Sequence, residues 1–257
     1  MGITLGASHI CLGVESVDKA SQALNGIKRE DLFTQSTKSI APQKRAFLLN
    51  SQNNQQMLYS LASHGIGIEA LRHTTQSKIL RRSPFLPIFS LPRSENIVKS
   101  EYADLLNLNL YKYTLLNLNV EALVLADSNS DQGSVQQIII FSADVATTVD
   151  FLSTGIGGVK SSDSEVKFRS VAGRELIIYV CYDPNPEKPF LDQLGWICMS
   201  FDVKNLQHSL KHLHQCGATE IGEPFSFQAG PRQYLISFVR GPSGELYEFL
   251  ETVRVFR

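Results

Sequence analysis

The chain has 257 residues, with 24 basic and 25 acidic side chains and a formal net charge of −1. Hydrophobic residues make up 43%, while glycine and proline (17 and 10) are near average usage, which excludes a disordered or collagen-like chain. The balanced charge also excludes the basic field that drives nucleic-acid binding, so no nucleic-acid partner is expected.

Met1 to Gly6 lacks the basic residues that open a secretory signal. The longest apolar region, Val135 to Val159, is interrupted by Asp144 and Asp150, so no membrane partner is expected either. Cys11, Cys181, Cys198 and Cys216 form no CxxC pair, a usage that suits a reducing compartment and a cytoplasmic protein.

In chain order, Ser8 to Val14 reads as a strand, followed by a helix from about Val17 to Asn25. Ser16 is its N-cap and Gly26 its stop. Leu58 to Leu71 reads as a strand, a glycine turn and a second strand that carries Glu69 between apolar neighbours. Ser83-Pro84 to Pro92-Arg93 reads as an apolar loop. Tyr111 to Leu125 is strand-like and ends in Val120-Glu121-Ala122-Leu123, an echo of Ile68-Glu69-Ala70-Leu71. The polar, turn-rich run 128–134 is a linker.

Beyond the linker, Gln137 to Ser142 is a strand, and Val145 to Thr154 a helix with Asp144 as N-cap and Gly155 as stop. Val166 to Val171 and Glu175 to Val180 form a hairpin. The three prolines between Asp183 and Pro189 cannot join a central sheet. Trp196 to Val203 is a strand, and Leu206 to Cys216 a helix between Asn205 and Gly217. The chain then closes with Leu235 to Arg240, a turn, and Leu246 to Leu250. Val145, Val149 and Leu152, like Leu206, Leu210 and Leu213, form single apolar stripes, so both helices lie on one face of a sheet. The recurring unit is βαβββ, clear in three copies and degenerate across residues 76–127.

The last unit, with its helix ending Cys216-Gly217-Ala218 and its closing Gly241-Pro242-Ser243-Gly244-Glu245-Leu246-Tyr247-Glu248, resembles the vicinal oxygen chelate superfamily. That superfamily includes glyoxalase I, bleomycin-resistance proteins, methylmalonyl-CoA epimerase and extradiol dioxygenases. The resemblance implies an α+β fold in which tandem βαβββ modules form two open barrel-like domains. Residues 1–127 would be the N-terminal half, 128–134 the linker and 135–257 the C-terminal half. It also implies a divalent ion (Fe, Mn, Ni or Zn) that chelates two neighbouring oxygens of a small-molecule ligand.

Carried onto this sequence, the resemblance places Gln137, Cys198 and Glu248 at the metal positions of the C-terminal half. Only Glu248 is the family's usual residue, and Cys198 is a soft donor beside hard ones. The N-terminal half retains His9 and Glu69. Glu121 is a third candidate there, unless a partner subunit of a homodimer completes the set. Gln233 stands where an extradiol enzyme needs an acid–base histidine, and it cannot move protons at neutral pH. Trp196, Gln233, Phe238 and Tyr247 are the candidates for contacting a ligand, and no catalytic residue is assigned.

Other histidines carry less. His208 and His212 have the spacing of helical zinc ligands but lie off the apolar stripe. His64 and His73 read as loop residues, and Arg72, Lys78, Arg81 and Arg82 as a solvated connector. The first functional expectation is a glyoxalase-, bleomycin-resistance- or dioxygenase-like protein that binds a small metabolite or antibiotic in a barrel cavity without the full family metal site. The second is a divalent-metal-dependent lyase, isomerase or dioxygenase of that superfamily. The third is a non-catalytic interaction protein with filled barrels.

Overall fold

The computed structural model describes residues 3–25, 30–37, 40–50, 55–61, 65–74, 79–91, 98–115, 118, 120–126, 133–229 and 231–255. Gly26, His64, Lys78 and most of the 128–134 linker lie outside the described residues. Among the described residues no helix is long and apolar enough to cross a membrane.

Four units follow one another along the chain. The first comprises β1 (Thr4–Gly13), α1 (Val17–Asn25), β2 (Glu30–Thr37), a short 3-10 helix (Pro42–Phe47), β3 (Gln55–Leu61) and β4 (Gly67–His73). The second comprises β5 (Phe85–Leu91), β6 (Val98–Lys99), α2 (Tyr102–Leu106), β7 (Leu110–Leu115) and β8 (Val120–Ala126). The third has β9 (Val135–Ser142), α3 (Val145–Asp150), β10 (Val159–Lys160), β11 (Glu165–Arg169) and β12 (Glu175–Tyr182). The fourth has β13 (Gly195–Val203), α4 (Leu206–Gln215), β14 (Glu220–Ile221), β15 (Phe225–Ala229), β16 (Arg232–Arg240) and β17 (Leu246–Val255).

The N-caps form as the sequence suggests. The backbone N–H groups of Lys19, Thr147 and His208 donate to Ser16, Asp144 and Asn205, filling first-turn donors that a helix leaves free. The third-unit helix does not stop at Gly155. It winds on as a π turn over Phe151–Ile156 and closes at Gly157, which takes the left-handed conformation at φ 102°. The turn keeps Phe151, Leu152 and Ile156 buried in the core.

Within each unit the first strand runs parallel to the last, β1 with β4, β5 with β8, β9 with β12 and β13 with β17. Units meet through antiparallel first strands, β1 with β13 and β5 with β9. The result is an α+β fold of tandem modules in two open mixed sheets, of nine and eight strands. Each sheet takes one unit from either half of the chain: units one and four form the first, units two and three the second. The expected pairing of consecutive units within residues 1–127 and within 135–257 is therefore not what the sheets contain. Strand β13 satisfies the backbone edge that β1 would otherwise leave open, and unit one is completed within the chain.

Phe85–Leu91 differs from the loop expected there. It is the central strand β5, buried along six of its seven residues, as a strand covered on both faces must be. Pro87 pairs with Ile138 of β9, whereas β8 joins only from Ile88 onward. Proline is tolerated where one strand edge needs no donor.

One apolar core joins both sheets to α1, α3 and α4 and holds Phe85, Phe89, Phe151, Trp196, Phe201, Tyr247 and Phe249. Each sheet also has a second face, turned away from these helices. On the second sheet that face is apolar, with Leu86, Ile88, Leu123, Ile139, Phe141 and Tyr179 beside Ala103 of α2. On the first sheet it carries Cys11, Met57, Leu71, Cys198, Phe238, Leu246 and Leu250 together with Phe47 of the 3-10 helix. Asp192 pins the end of that helix, accepting from the backbone N–H groups of Leu49 at 2.8 Å and Asn50 at 2.7 Å.

Candidate metal centre

Side chains alternate along a strand, so the register decides what meets on the second face of the first sheet. His9 lies opposite Ser200 and Cys11 opposite Cys198 across β1 and β13. Glu69 sits beside Cys11 on β4, and Glu248 beside Ser200 on β17. The arrangement has an approximate two-fold that exchanges His9 with Cys198, Cys11 with Ser200 and Glu69 with Glu248. The neighbours Ile10, Ile68, Met199, Tyr247 and Phe249 point the other way, into the core.

His9, Glu69, Ser200 and Glu248 are all buried. His9 Nε2 lies 3.4 Å from Glu69 Oε2 and 3.2 Å from Glu248 Oε2. Ser200 Oγ is 2.9 Å from the same nitrogen and donates to Glu248 Oε2 at 2.7 Å. The Cys11 thiol donates to Glu69 Oε2 at 3.2 Å. On the other side of the ring, His9 Nδ1 is 3.3 Å from Ser8 Oγ, and Tyr59 meets the imidazole edge-on at 5.2 Å.

The electrostatics follow from burial and from this crowding. Burial alone would lower the His9 imidazole, but Tyr59, Cys11 and Glu248 raise it well above its ordinary value. Burial alone would raise Glu69, but the hydrogen bond and charge of His9 outweigh it and hold the carboxyl below its ordinary range. Burial pushes the Cys11 and Cys198 thiols up.

The donor set fits a divalent cation. Donor atoms of His9, Cys11, Glu69 and Glu248 all lie within 4.8 Å of one another. Ligands bonded at about 2.1 Å stand about 3.0 Å apart in an octahedral shell and about 3.4 Å apart in a tetrahedral one. The 3.2 and 3.4 Å separations from His9 Nε2 to the two carboxylates are of that size. One imidazole and two carboxylates suit Zn, Fe, Ni or Mn. A ligating histidine characteristically engages its second ring nitrogen as well, and Ser8 is placed to do this.

Of the residues singled out from sequence, His9, Glu69 and Glu248 come together. Cys198 is fully buried on the same face but outside this donor group. Glu121 is exposed on β8 opposite Thr114, and Gln137 lies on β9 beside Ile88, so both belong to the second sheet. Trp196 and Tyr247 sit in the core between the layers; the indole N–H donates to the Glu121 carbonyl oxygen, and the tyrosine packs among Phe85, Phe151 and Phe201. Phe238 does face the site side, against Phe47 and Phe225. Gln233 is half-buried on β16, opposite Gln228 and Arg254.

His208 is exposed, and His212 Nε2 is engaged by the Thr154 carbonyl oxygen. They form no metal pair. His73 is not a loop residue; it ends β4, buried, and burial with the Lys44 charge lowers it to about 4. Sequence reasoning missed Cys11 and Ser200. The signal available was their position two residues beyond His9 and Cys198 on the same strand faces.

No protein-family model matches the chain, and no curated protein matches it. Solved structures do. Glyoxalase I from Zea mays aligns over 96% of this chain and 92% of its own, with a TM-score of 0.61 and 9% identity. A Bacillus subtilis protein provisionally assigned as a dioxygenase aligns over 100% of this chain and 88% of its own, with a TM-score of 0.61 and 10% identity. At such identities the likeness concerns the fold alone: the chain shares the tandem βαβββ architecture of glyoxalase I.

Proposed function

We propose that the chain binds one divalent cation between His9, Glu69 and Glu248, and through it a small metabolite with two neighbouring oxygens. The observation that carries this reading is the spacing of the three donors around one imidazole nitrogen, 3.2 and 3.4 Å, in a buried site. Without a cation the same geometry buries two carboxylates against one histidine, and burying charge costs several kcal/mol per ion. The bound ion would supply Lewis-acid stabilisation of charge developing on the ligand oxygens.

The chain's own residues have separate tasks in this reading. Ser8 orients the His9 ring, and Ser200 and Cys11 fix Glu248 and Glu69 by hydrogen bonds. Ser200 stands in the donor ring where a stronger ligand would complete a four-residue set, which leaves room for ligand oxygens on the ion. The expectation of an incomplete metal site rested on Gln137, Cys198 and Gln233, and none of the three belongs to this donor set. Among the relatives' chemistries, a metal-dependent lyase or isomerase fits better than ring cleavage. Gln233 cannot shuttle protons, and no described histidine other than His9 joins the donor set.

Metal analysis of purified protein tests the proposal. The expected result is one equivalent of Zn, Fe, Ni or Mn per chain, lost in His9→Ala and reduced in Glu248→Gln. A wild-type protein that takes up no ion when supplied with each of these metals would overturn it. So would a His9→Ala variant with undiminished metal.

A further inference from the structure

Two cations are buried on the site side of the first sheet, and they are treated differently. Arg240 is fully engaged. Its Nε donates to Glu220 Oε2 at 3.0 Å, and its Nη1 donates to the carbonyl oxygens of Pro189 at 2.9 Å and Gly244 at 3.2 Å. Its guanidinium also stacks on Phe190 and Phe47.

Lys44, on the 3-10 helix that covers this face, is only 7% exposed. Its ammonium lies 5.4 to 5.5 Å from the ring centroids of Phe225, Phe227 and Phe238. No carboxylate and no hydrogen-bond acceptor among the described residues engages it. Three ring faces hold a cation in place, but they do not replace the anion or acceptors that a buried ammonium needs. Phe238, one of the three rings, lies opposite Glu248 across β16 and β17, which sets the ammonium on the side of the donor cluster, and its charge also acts on Glu69 and His73.

We infer that Lys44 is the anchor for an anionic group of the ligand held at the metal centre. This makes the ligand class a small organic acid with one carboxylate beyond its paired oxygen donors. The inference rests on the metal reading above and adds what that reading leaves open, the charge of the ligand. The aromatic cage fixes where the ammonium points, so that an incoming carboxylate meets a pre-positioned cation. An uncharged or singly anionic ligand would leave Lys44 without a partner.

Two acids of equal chain length separate these cases. 2-Oxoglutarate and 2-oxopentanoate offer the same neighbouring oxygens, and only the first has a distal carboxylate. Calorimetric titration of the metal-loaded protein should give tighter binding of 2-oxoglutarate by about ten- to hundredfold, the size of one charge-assisted hydrogen bond. Lys44→Met should abolish that preference while leaving 2-oxopentanoate binding and metal content unchanged, and Lys44→Arg should retain part of it.

Thermal unfolding of the metal-free variant gives a second readout. Lys44→Met should melt no lower than the wild type, because it removes a charge that no carboxylate among the described residues balances. A clear drop in melting temperature would make the lysine a structural part of the phenylalanine cluster and overturn the inference. Equal binding of the two acids to metal-loaded wild type would also overturn it, and would leave the metal reading standing. Failure to bind metal at all would overturn both.

Discussion

Metal binding at this site should depend on pH in a way that can be counted in protons. In the metal-free protein His9 is held well above its ordinary value by Tyr59, Cys11 and Glu248, against the opposing effect of burial. The raised value favours its imidazolium form, which lies 3.2 and 3.4 Å from the two carboxylates. One imidazolium and two carboxylates sum to −1, whereas a dication with neutral His9 and the same carboxylates sums to zero. A cation that takes Nε2 must expel the proton from it.

The sign is fixed by the raised value. Below the folded His9 pKa every unit of rising pH removes a tenfold competition, about 1.36 kcal/mol. From roughly pH 6 upward the association constant should rise, by up to about tenfold per unit while the pH stays below that pKa. Titration calorimetry in two buffers of different ionisation enthalpy reads the number of protons released. Release of the His9 proton is expected below that pKa, and a second proton would identify the Cys11 thiol as a further ligand, since its proton must also leave before sulfur can bind. Affinity that is flat across this range, with no proton released, would refute the placement of the ion on His9.

Two further predictions concern the scaffold. Asp192→Ala removes two charge-assisted hydrogen bonds to Leu49 and Asn50 and should cost roughly 3 kcal/mol, or about 6–12 °C of melting temperature for a chain of this size. It should also speed amide exchange at those two residues, and a loss under about 1 kcal/mol would show that the carboxylate does not pin the 3-10 helix. Tyr247→Phe removes a fully buried hydroxyl that has no partner among the described residues. It should stabilise the protein by about 1 kcal/mol in denaturant unfolding, and a loss of stability would mean that the hydroxyl is satisfied.

The repeat was readable from the sequence because its signals are local. N-caps Ser16, Asp144 and Asn205 and the i, i+4, i+7 stripes depend on residues within one helix. His9, Glu69 and Glu248 were singled out through the resemblance, and the two carboxylates also stand out as charged residues between apolar strand neighbours. Which units pair was not readable, because nothing within β1 specifies whether its open edge meets β5 or β13. The partner of His9 and Glu69 was therefore sought in Glu121, 52 residues after Glu69, when the structure supplies Glu248 from the far end of the chain. The exposed Glu121 and the apolar surroundings of Gln137 follow from the same assembly. Trp196 and Tyr247 illustrate a one-residue problem: Glu248 faces the site, so strand alternation sends Tyr247 into the core.

The two sheets have the same strand plan but divide the polar load unequally. Counting five residues back from the caps Asn205 and Asp144 reaches Ser200 on β13 and Ile139 on β9. Their neighbours on the last strands are Glu248 and Tyr179. Around Ile139 the second sheet places Leu86, Ile88 and Leu123, each worth roughly 1.5–3 kcal/mol when buried. At the equivalent face the first sheet buries His9, Glu69, Ser200 and Glu248, with an ammonium nearby that no carboxylate among the described residues pairs. The second sheet demonstrates that the plan is stable with apolar residues there, so folding does not require the polar set. Buried ion clusters of this kind are often less favourable than well-packed apolar side chains of similar volume. The first sheet thus forgoes stability at one patch, and a cation with an anionic ligand would offset that deficit on binding.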